Sequence, residues 1–117
     1  EEVERLNEVN IDIDLDEQAD YIAIAQKIAL YRVICEAVNN AIKHGQAKNI
    51  DVRLKLTDNS IELTVEDDGS GFSKDDKDFR EGNGLRNMRS IAVLLKGFLS
   101  IVQRDKSGVR VRLSLPR

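Results

Sequence analysis

Residues 31–44 read YRVICEAVNNAIKH, and the rest of the chain is best interpreted from this stretch. On a helix, at about 100° per residue, its side chains separate into an apolar arc and a polar arc. The apolar arc comprises Leu30, Tyr31, Ile34, Cys35, Ala37, Val38, Ala41 and Ile42. The polar arc comprises Arg32, Glu36, Asn39, Asn40, Lys43 and His44. Within it, Glu36, Asn40 and Lys43 lie at i, i+4 and i+7, so they form one stripe.

Two interpretations of this polar stripe remain open on these residues alone. A solvated helix face is the usual explanation. However, asparagine is a weak helix former, so Asn39 and Asn40 in mid-helix are a local cost that an exposed face does not require. The stripe also combines a carboxylate, two amides, a lysine and the single histidine of the chain, a set suited to holding a metal ion and phosphate groups.

Length and composition describe one domain with an aliphatic core. The chain has 117 residues, of which 41% are hydrophobic and 4% aromatic. A net charge of −3 with mixed signs gives no reason to expect nucleic acid as a partner. No run reaches the length of a transmembrane helix. We expect residues 1–8 to be a linker from an upstream segment and residues 9–117 to be the domain.

The single cysteine excludes an intramolecular disulfide. Because Cys35 falls on the apolar arc, we expect a buried and inert thiol. A reducing, cytoplasmic setting fits this composition, and a longer parent protein could still be anchored to a membrane.

Alternating residues predict the first strand and the first hairpin. Residues 9–15 alternate apolar and polar side chains, which favours a strand with one wet face. Asp14 or Asp16 is suited to cap a helical stretch that begins near Glu17 and either continues into the residue 31 helix or bends before it. Gly45 is expected to end that helix in a left-handed conformation. Two alternating runs around a polar turn at residues 57–60 then predict a hairpin.

The second half of the chain predicts a loop, a helix and another hairpin. Residues 73–81 are charged and lack apolar periodicity, so we expect a loop. An amphipathic helix from Leu85 to about Gly97 and two strands at 98–104 and 109–115 follow. This element order favours a two-layer α/β sandwich, in which helices cover one face of a mostly antiparallel mixed sheet.

Two glycine clusters flank the predicted loop. DDGSGF begins at Asp67, directly after a strand, and GNGL at residues 82–85 opens a helix. Glycine lets a backbone approach a ligand closely, and a helix N-terminus attracts phosphate. Neither cluster has P-loop or dinucleotide-fold spacing, and each alone is more often structural.

The motifs together resemble the ATP-binding domain of the gyrase, Hsp90, histidine kinase and MutL superfamily (GHKL, the Bergerat fold). The residues of these motifs are most similar to those of sensor histidine kinases of the NarX/DesK type. There, an Arg-x-x-x-Glu-Ala-x-x-Asn-Ala-x-Lys-His helix, which begins here at Arg32, precedes Asp-x-Gly-x-Gly-Phe, a short lid and Gly-Leu-x-x-Met-Arg. The likeness covers about residues 28–116.

The resemblance implies a Mg²⁺-dependent kinase that passes the γ-phosphoryl group of ATP to a histidine. The implied catalytic residues are Glu36, Asn40 and Lys43, with Asn40 as the Mg²⁺ ligand. The implied nucleotide-binding residues are Asn39, Asn40, Lys43, His44, Asp67, Gly69, Gly71, Gly82, Gly84 and Leu85. Among these, Asp67 would accept a hydrogen bond from the adenine amino group, and residues 73–81 would be the lid.

The resemblance also implies the partners. The substrate histidine would lie on a separate dimerisation domain of the same kinase, so His44 is not expected to be the phosphoacceptor. A response regulator would act downstream, and this domain alone would be a monomer. The family often has threonine where this chain has Val109. Two other functions remain open: a serine kinase or plain ATPase of the same fold, and a non-catalytic nucleotide-sensing module.

Overall fold

The computed structural model describes residues 9–70, 83–104 and 107–117. In these ranges, five strands form one sheet in the order β1-β2-β3-β5-β4. They are β1 (Asn10–Leu15), β2 (Asn49–Leu56), β3 (Ser60–Asp67), β4 (Phe98–Gln103) and β5 (Val109–Pro116). β1 and β2 are parallel and the other pairs antiparallel. Two helices, α1 (Ile24–Lys43) and α2 (Asn83–Leu94), pack on one side, so the predicted two-layer α/β sandwich is confirmed.

The core lies between the helices and the three central strands. Alternate residues of β2, β3 and β5 point towards the helices, and both predicted hairpins form. The buried apolar residues of these strands are Ile50, Val52, Leu54, Ile61, Leu63, Val65, Val111, Leu113 and Leu115. α2 contributes Met88 and Ala92, which lie on its predicted apolar face.

The buried arc of α1 differs from the predicted one. Leu30, Ala37 and Ala41 are buried as expected, but the arc centres on Val33, which is fully buried. Cys35 is exposed, so the expectation of a buried thiol is wrong. The reason is that apolar residues surround most of this helix, and periodicity alone does not say which arc faces the sheet.

The expectation that β1 exposes one face to solvent and buries the other is also wrong, because both of its faces are exposed. Its register places Ile11, Ile13 and Leu15 on the same face as the buried residues of β2. α1 packs over β2 and β3, however, and leaves these three side chains 43%, 63% and 53% exposed.

The segment between β1 and α1 is a turn rather than a continuous helix. Asp16 accepts hydrogen bonds from the backbone N–H groups of Gln18 (2.9 Å) and Leu56 (3.0 Å). These bonds hold the pKa of Asp16 below its ordinary value. A single 3-10 turn, Ala19–Tyr21, follows, and α1 then starts at Ile24. Asp16 therefore caps a short turn and ties it to β2.

Both helices end in a left-handed residue that is not glycine. Gln46 has φ 51° after α1, and Lys96 has φ 58° after α2. The prediction of a left-handed Gly45 is therefore wrong. Gly45 is instead favoured by packing, because a Cβ there would lie 3.0 Å from the carbonyl oxygen of Ala41, which is a tight contact. Within the described residues, no helix has the length and hydropathy needed to cross a membrane.

Candidate functional site

A cleft opens between α1, α2 and the ends of β3, β4 and β5. Most of its lining is apolar, and its polar residues come from α1 and β3. The lining residues are Ala37, Asn40, Ala41, His44, Gly45, Val65, Asp67, Met88, Ile101, Val109 and Val111. An apolar cleft with a few convergent polar groups is the usual form of a small-molecule site.

Asp67 supplies the buried charge of this cleft. It is the last residue of β3 and only 6% exposed, and it is the one buried charged side chain among the described residues. Its Oδ1 atom accepts a hydrogen bond from the N–H of Gly69 (2.8 Å). Burial raises the pKa of Asp67 above its ordinary value, although the backbone N–H groups of Gly69 and Val109 oppose the shift.

Val109 occupies the position where the resembled family often has threonine. Its side chain lines the cleft, while its backbone N–H favours the ionised form of the Asp67 carboxylate and so lowers its pKa. A backbone N–H is independent of the side chain, so the replacement leaves this effect on Asp67 unchanged.

Glycines let three backbone segments meet beside Asp67. A Cβ on Gly69 would lie 2.5 Å from the carbonyl oxygen of Gly45, and the N–H of Ser70 donates to that same oxygen (2.8 Å). Gly108 has φ 92°, and a Cβ there would collide with the carbonyl oxygen of Asp67. The end of α1, the end of β3 and the start of β5 are therefore held in contact at this point.

The neighbouring aspartate has a different role. The carboxylate of Asp68 is exposed and accepts hydrogen bonds from the N–H groups of Lys48 and Asn49 (both 2.9 Å) and from the side chain of Asn49 (2.7 Å). The side chain of Asn49 is the main cause that lowers the pKa of Asp68. Asp68 thus fixes the segment between α1 and β2 against the end of β3.

The N-terminus of α2 meets the polar stripe of α1 at Gly84. A Cβ on Gly84 would collide with the carboxylate of Glu36 and would lie 3.8 Å from the amide oxygen of Asn40. Both oxygens therefore face the backbone of the first turn of α2, which also contains Leu85. Amide and carboxylate oxygens are ligands that Mg²⁺ accepts, so the donors present fit a magnesium ion bound together with phosphate oxygens.

The predicted site residues therefore divide into four groups. Asn40, His44 and Asp67 line the cleft, and Glu36, Gly69 and Gly84 lie at its edges. Asn39 and Lys43 are exposed on α1 and do not line it. Gly71, Gly82 and the predicted lid at residues 73–81 lie outside the described residues.

Sequence reasoning missed most of the apolar lining. Val65, Ile101 and Val111 belong to strands that were predicted, and Met88 belongs to a predicted helix, but only the packing brings them to one cleft. A usable signal existed for Ala37 and Ala41, because they lie one position from Glu36 and Asn40 on the same helix.

A comparison with known proteins assigns the family. Residues 25–117 match the model of the histidine kinase-, DNA gyrase B-, and HSP90-like ATPase family. The chain is 32% identical over 87 residues to the sensor protein VraS of Staphylococcus epidermidis, and the same identity is found with VraS of Staphylococcus aureus. The match covers 74% of this chain and 25% of VraS, so the chain spans about a quarter of the length of these relatives.

Solved structures with the same fold include a histidine kinase domain from Erythrobacter litoralis, with a TM-score of 0.78, 21% identity and coverage of 98% of this chain and 54% of that one. The ATP-binding domain of PrrB from Mycobacterium tuberculosis has a TM-score of 0.63, 23% identity and coverage of 91% and 79%. At these identities, the two structures support the fold alone. The family match covers most of the chain, which therefore belongs to the histidine kinase-, DNA gyrase B- and HSP90-like ATPases.

Proposed function

We propose that this domain catalyses transfer of the γ-phosphoryl group of ATP to a histidine side chain on a separate domain of the same kinase. One observation carries the proposal. The cleft is lined by a buried carboxylate, Asp67, at the end of β3 and by Asn40, whose amide oxygen lies with the carboxylate of Glu36 beside the N-terminus of α2. The Asp67 end of the cleft suits a nucleobase with an amino group, and the α2 end suits phosphates.

The base would enter the apolar part of the cleft. Val65, Met88 and Val111 offer apolar contacts to the base, and the ionised carboxylate of Asp67 is a hydrogen-bond acceptor only. It therefore accepts from the exocyclic amino group of adenine, whereas guanine presents a carbonyl at that position.

The phosphates would extend towards the start of α2. Asn40 would hold Mg²⁺, and this ion would neutralise charge on the phosphate oxygens. The backbone N–H groups that follow Gly84 point out of a helix N-terminus, which favours an anion. Lys43, on the same stripe as Asn40, would offset further negative charge, and Asn39 and His44 would lie near the phosphates.

In the transfer step, an imidazole nitrogen forms a bond to the γ-phosphorus while the bond between that phosphorus and the β–γ bridging oxygen breaks, which releases ADP. Glu36 would orient the attacking imidazole and accept its proton. Such reactions depend on positioning and charge neutralisation more than on covalent catalysis. His44 is a residue of the nucleotide site in this proposal and not the acceptor.

The proposal includes the partners and the surroundings of the domain. Residues 9–117 would form the catalytic unit, a monomer when alone, and residues 1–8 would connect it to the phosphoacceptor domain. A response regulator would receive the phosphoryl group later. We place the domain in the cytoplasm, because ATP is its substrate.

The test uses the phosphoacceptor domain of the same kinase supplied in trans with radiolabelled Mg²⁺·ATP. We expect labelling of that domain by the wild type and loss of labelling with Glu36→Gln, while nucleotide binding by the variant stays intact. A phosphoryl group on nitrogen is lost in acid and survives base, whereas phosphoserine does the opposite. Acid-stable label would identify a serine kinase. Tight binding without any label or ADP release would identify a nucleotide-sensing module.

A further inference from the structure

The backbone of Asp67 is held by a residue that no motif singled out. Asp67 is the last residue of β3, and the pairing of β3 with β5 ends one residue earlier, at Glu66 and Arg110. The Nη1 atom of Arg104 donates a hydrogen bond to the carbonyl oxygen of Asp67 (2.8 Å). Arg104 therefore supplies the donor at the point where the strand ladder stops.

The geometry around Arg104 directs it to this carbonyl. Its own backbone N–H donates to the carbonyl oxygen of Gly108 (2.9 Å), which fixes the position of its Cα. Its Nε atom lies 3.8 Å from the carboxylate of Glu66. Gly108 packs against the same carbonyl oxygen of Asp67, where no side chain could fit. The Asp67 peptide is thus enclosed by a guanidinium and a glycine.

Arg104 also acts on the side chain of Asp67. The carboxylate is buried, and burial disfavours its charged form. The positive charge of Arg104 opposes that effect. A protonated carboxyl would present a donor as well as acceptors, so the charge of Arg104 favours the form that only accepts.

We propose that Arg104 is a positioning residue for adenine selectivity: it fixes the Asp67 backbone and keeps the carboxylate aimed, as an acceptor, at the amino group of the base. This inference rests on the proposed role of Asp67 in binding ATP. Arg104 touches neither nucleotide nor metal in the proposal, so its effect is confined to the contact that Asp67 makes.

The test measures the dissociation constants of ATP and of purine riboside triphosphate, which lacks the 6-amino group. The wild type should prefer ATP by about tenfold or more, the value of a hydrogen bond to a charged acceptor. Arg104→Gln should reduce this preference by about fivefold, the difference between a charged and a neutral hydrogen bond. Arg104→Lys, which keeps the charge and loses the fork of donors, should restore part of it.

Arg110→Gln is the matched control. Arg110 also pairs with Glu66, at 3.1 Å, but it makes no hydrogen bond to Asp67 among those of the described residues. Its preference for ATP should equal that of the wild type. If Arg104→Gln weakens both nucleotides equally, or neither, the inference is overturned, and Arg104→Lys gives the same decision should the glutamine variant not fold. A wild type that binds ATP without preferring it over the analogue would overturn the adenine role of Asp67 together with this inference.

Discussion

At the scale of single residues, two adjacent aspartates differ in the sign of their electrostatic effect. Asp67 is buried, and its pKa is raised. Asp68 is exposed, accepts three hydrogen bonds, and has a lowered pKa. The first charge therefore opposes folding, while the second supports it. An electrostatically unfavourable buried charge is expected where a residue serves function rather than stability.

This difference predicts opposite pH dependences for two amide variants. The ordinary pKa of both groups is 3.8. The pKa of Asp67 is higher in the folded state than in the unfolded state, so the wild type loses stability as the pH rises from 3.8 through the raised value. At neutral pH the ionised Asp67 is therefore unfavourable, and Asp67→Asn should be at least as stable as the wild type. Asp68→Asn should be less stable at neutral pH, because the contribution of ionised Asp68 is present above 3.8 and lost as pH falls through its lowered value.

Urea unfolding at several pH values measures both effects, and each variant is the control for the other. The two differences from the wild type should shrink as the pH falls. A destabilised Asp67→Asn together with an unaffected Asp68→Asn would reverse the assigned roles.

Nucleotide binding should respond to Asp67→Asn in the direction opposite to stability. The amide lacks the negative charge of the carboxylate that would accept the hydrogen bond from the adenine amino group, so we expect the free energy of ATP binding to weaken by roughly 1.5–3 kcal/mol. Isothermal titration measures this loss. Equal affinity in a folded variant would show that Asp67 does not contact the base.

At the scale of elements, α1 is a helix whose apolar surface is only partly used. Val33 is fully buried, whereas Ile28 on the other side of the helix is 55% exposed. We therefore expect Val33→Ala to reduce the free energy of unfolding by about 2 kcal/mol, through lost burial and a cavity. Ile28→Ala should change it by about 0.5 kcal/mol, as surface substitutions do. Chemical denaturation compares the two, and similar losses would contradict the observed helix orientation.

The contact between the end of α1 and the end of β3 depends on the absence of side chains. Gly69→Ala would place a methyl group 2.5 Å from the carbonyl oxygen of Gly45, and overpacking of this kind costs about 1–3 kcal/mol. Ser70→Ala is the control, because Ser70 holds Gly45 through its backbone N–H. We expect a lower melting temperature and weaker ATP binding for the glycine variant only. Unchanged ATP binding by Gly69→Ala would show that the contact between Gly69 and Gly45 does not support the nucleotide site.

At the scale of the whole molecule, ligand binding should stabilise the fold because the cleft joins both layers. ATP with Mg²⁺ at about 100 times its dissociation constant should add about 2.7 kcal/mol to the free energy of unfolding. Thermal unfolding with Mg²⁺·ATP, Mg²⁺·GTP, and ATP plus chelator measures this. We expect a clear shift with Mg²⁺·ATP only. An equal shift with GTP would contradict the adenine role of Asp67, and a full shift with chelator would contradict the metal role of Asn40.

The strands and α2 were predicted from local patterns, and the residues of the proposed site were predicted from motifs, which are local as well. Strand alternation in residues 50–65 and 109–115 is a short-range signal, because one face of each of these strands is buried and the other is not. The same signal misled for β1, whose apolar face has no helix above it. It also misled for α1, where apolar residues lie on several sides and only the sheet selects the arc around Val33.

The sequence by itself determined the class of the fold and the family, and it predicted the polar residues of the proposed site, because these depend on residue type and on spacing along the chain. Only the tertiary structure decided which apolar side chains line the cleft, which of two adjacent aspartates is buried, and that Arg104 reaches Asp67 across 37 residues of chain. Burial and long-range hydrogen bonds depend on how distant segments pack, and no local pattern encodes the partner of a side chain that far away.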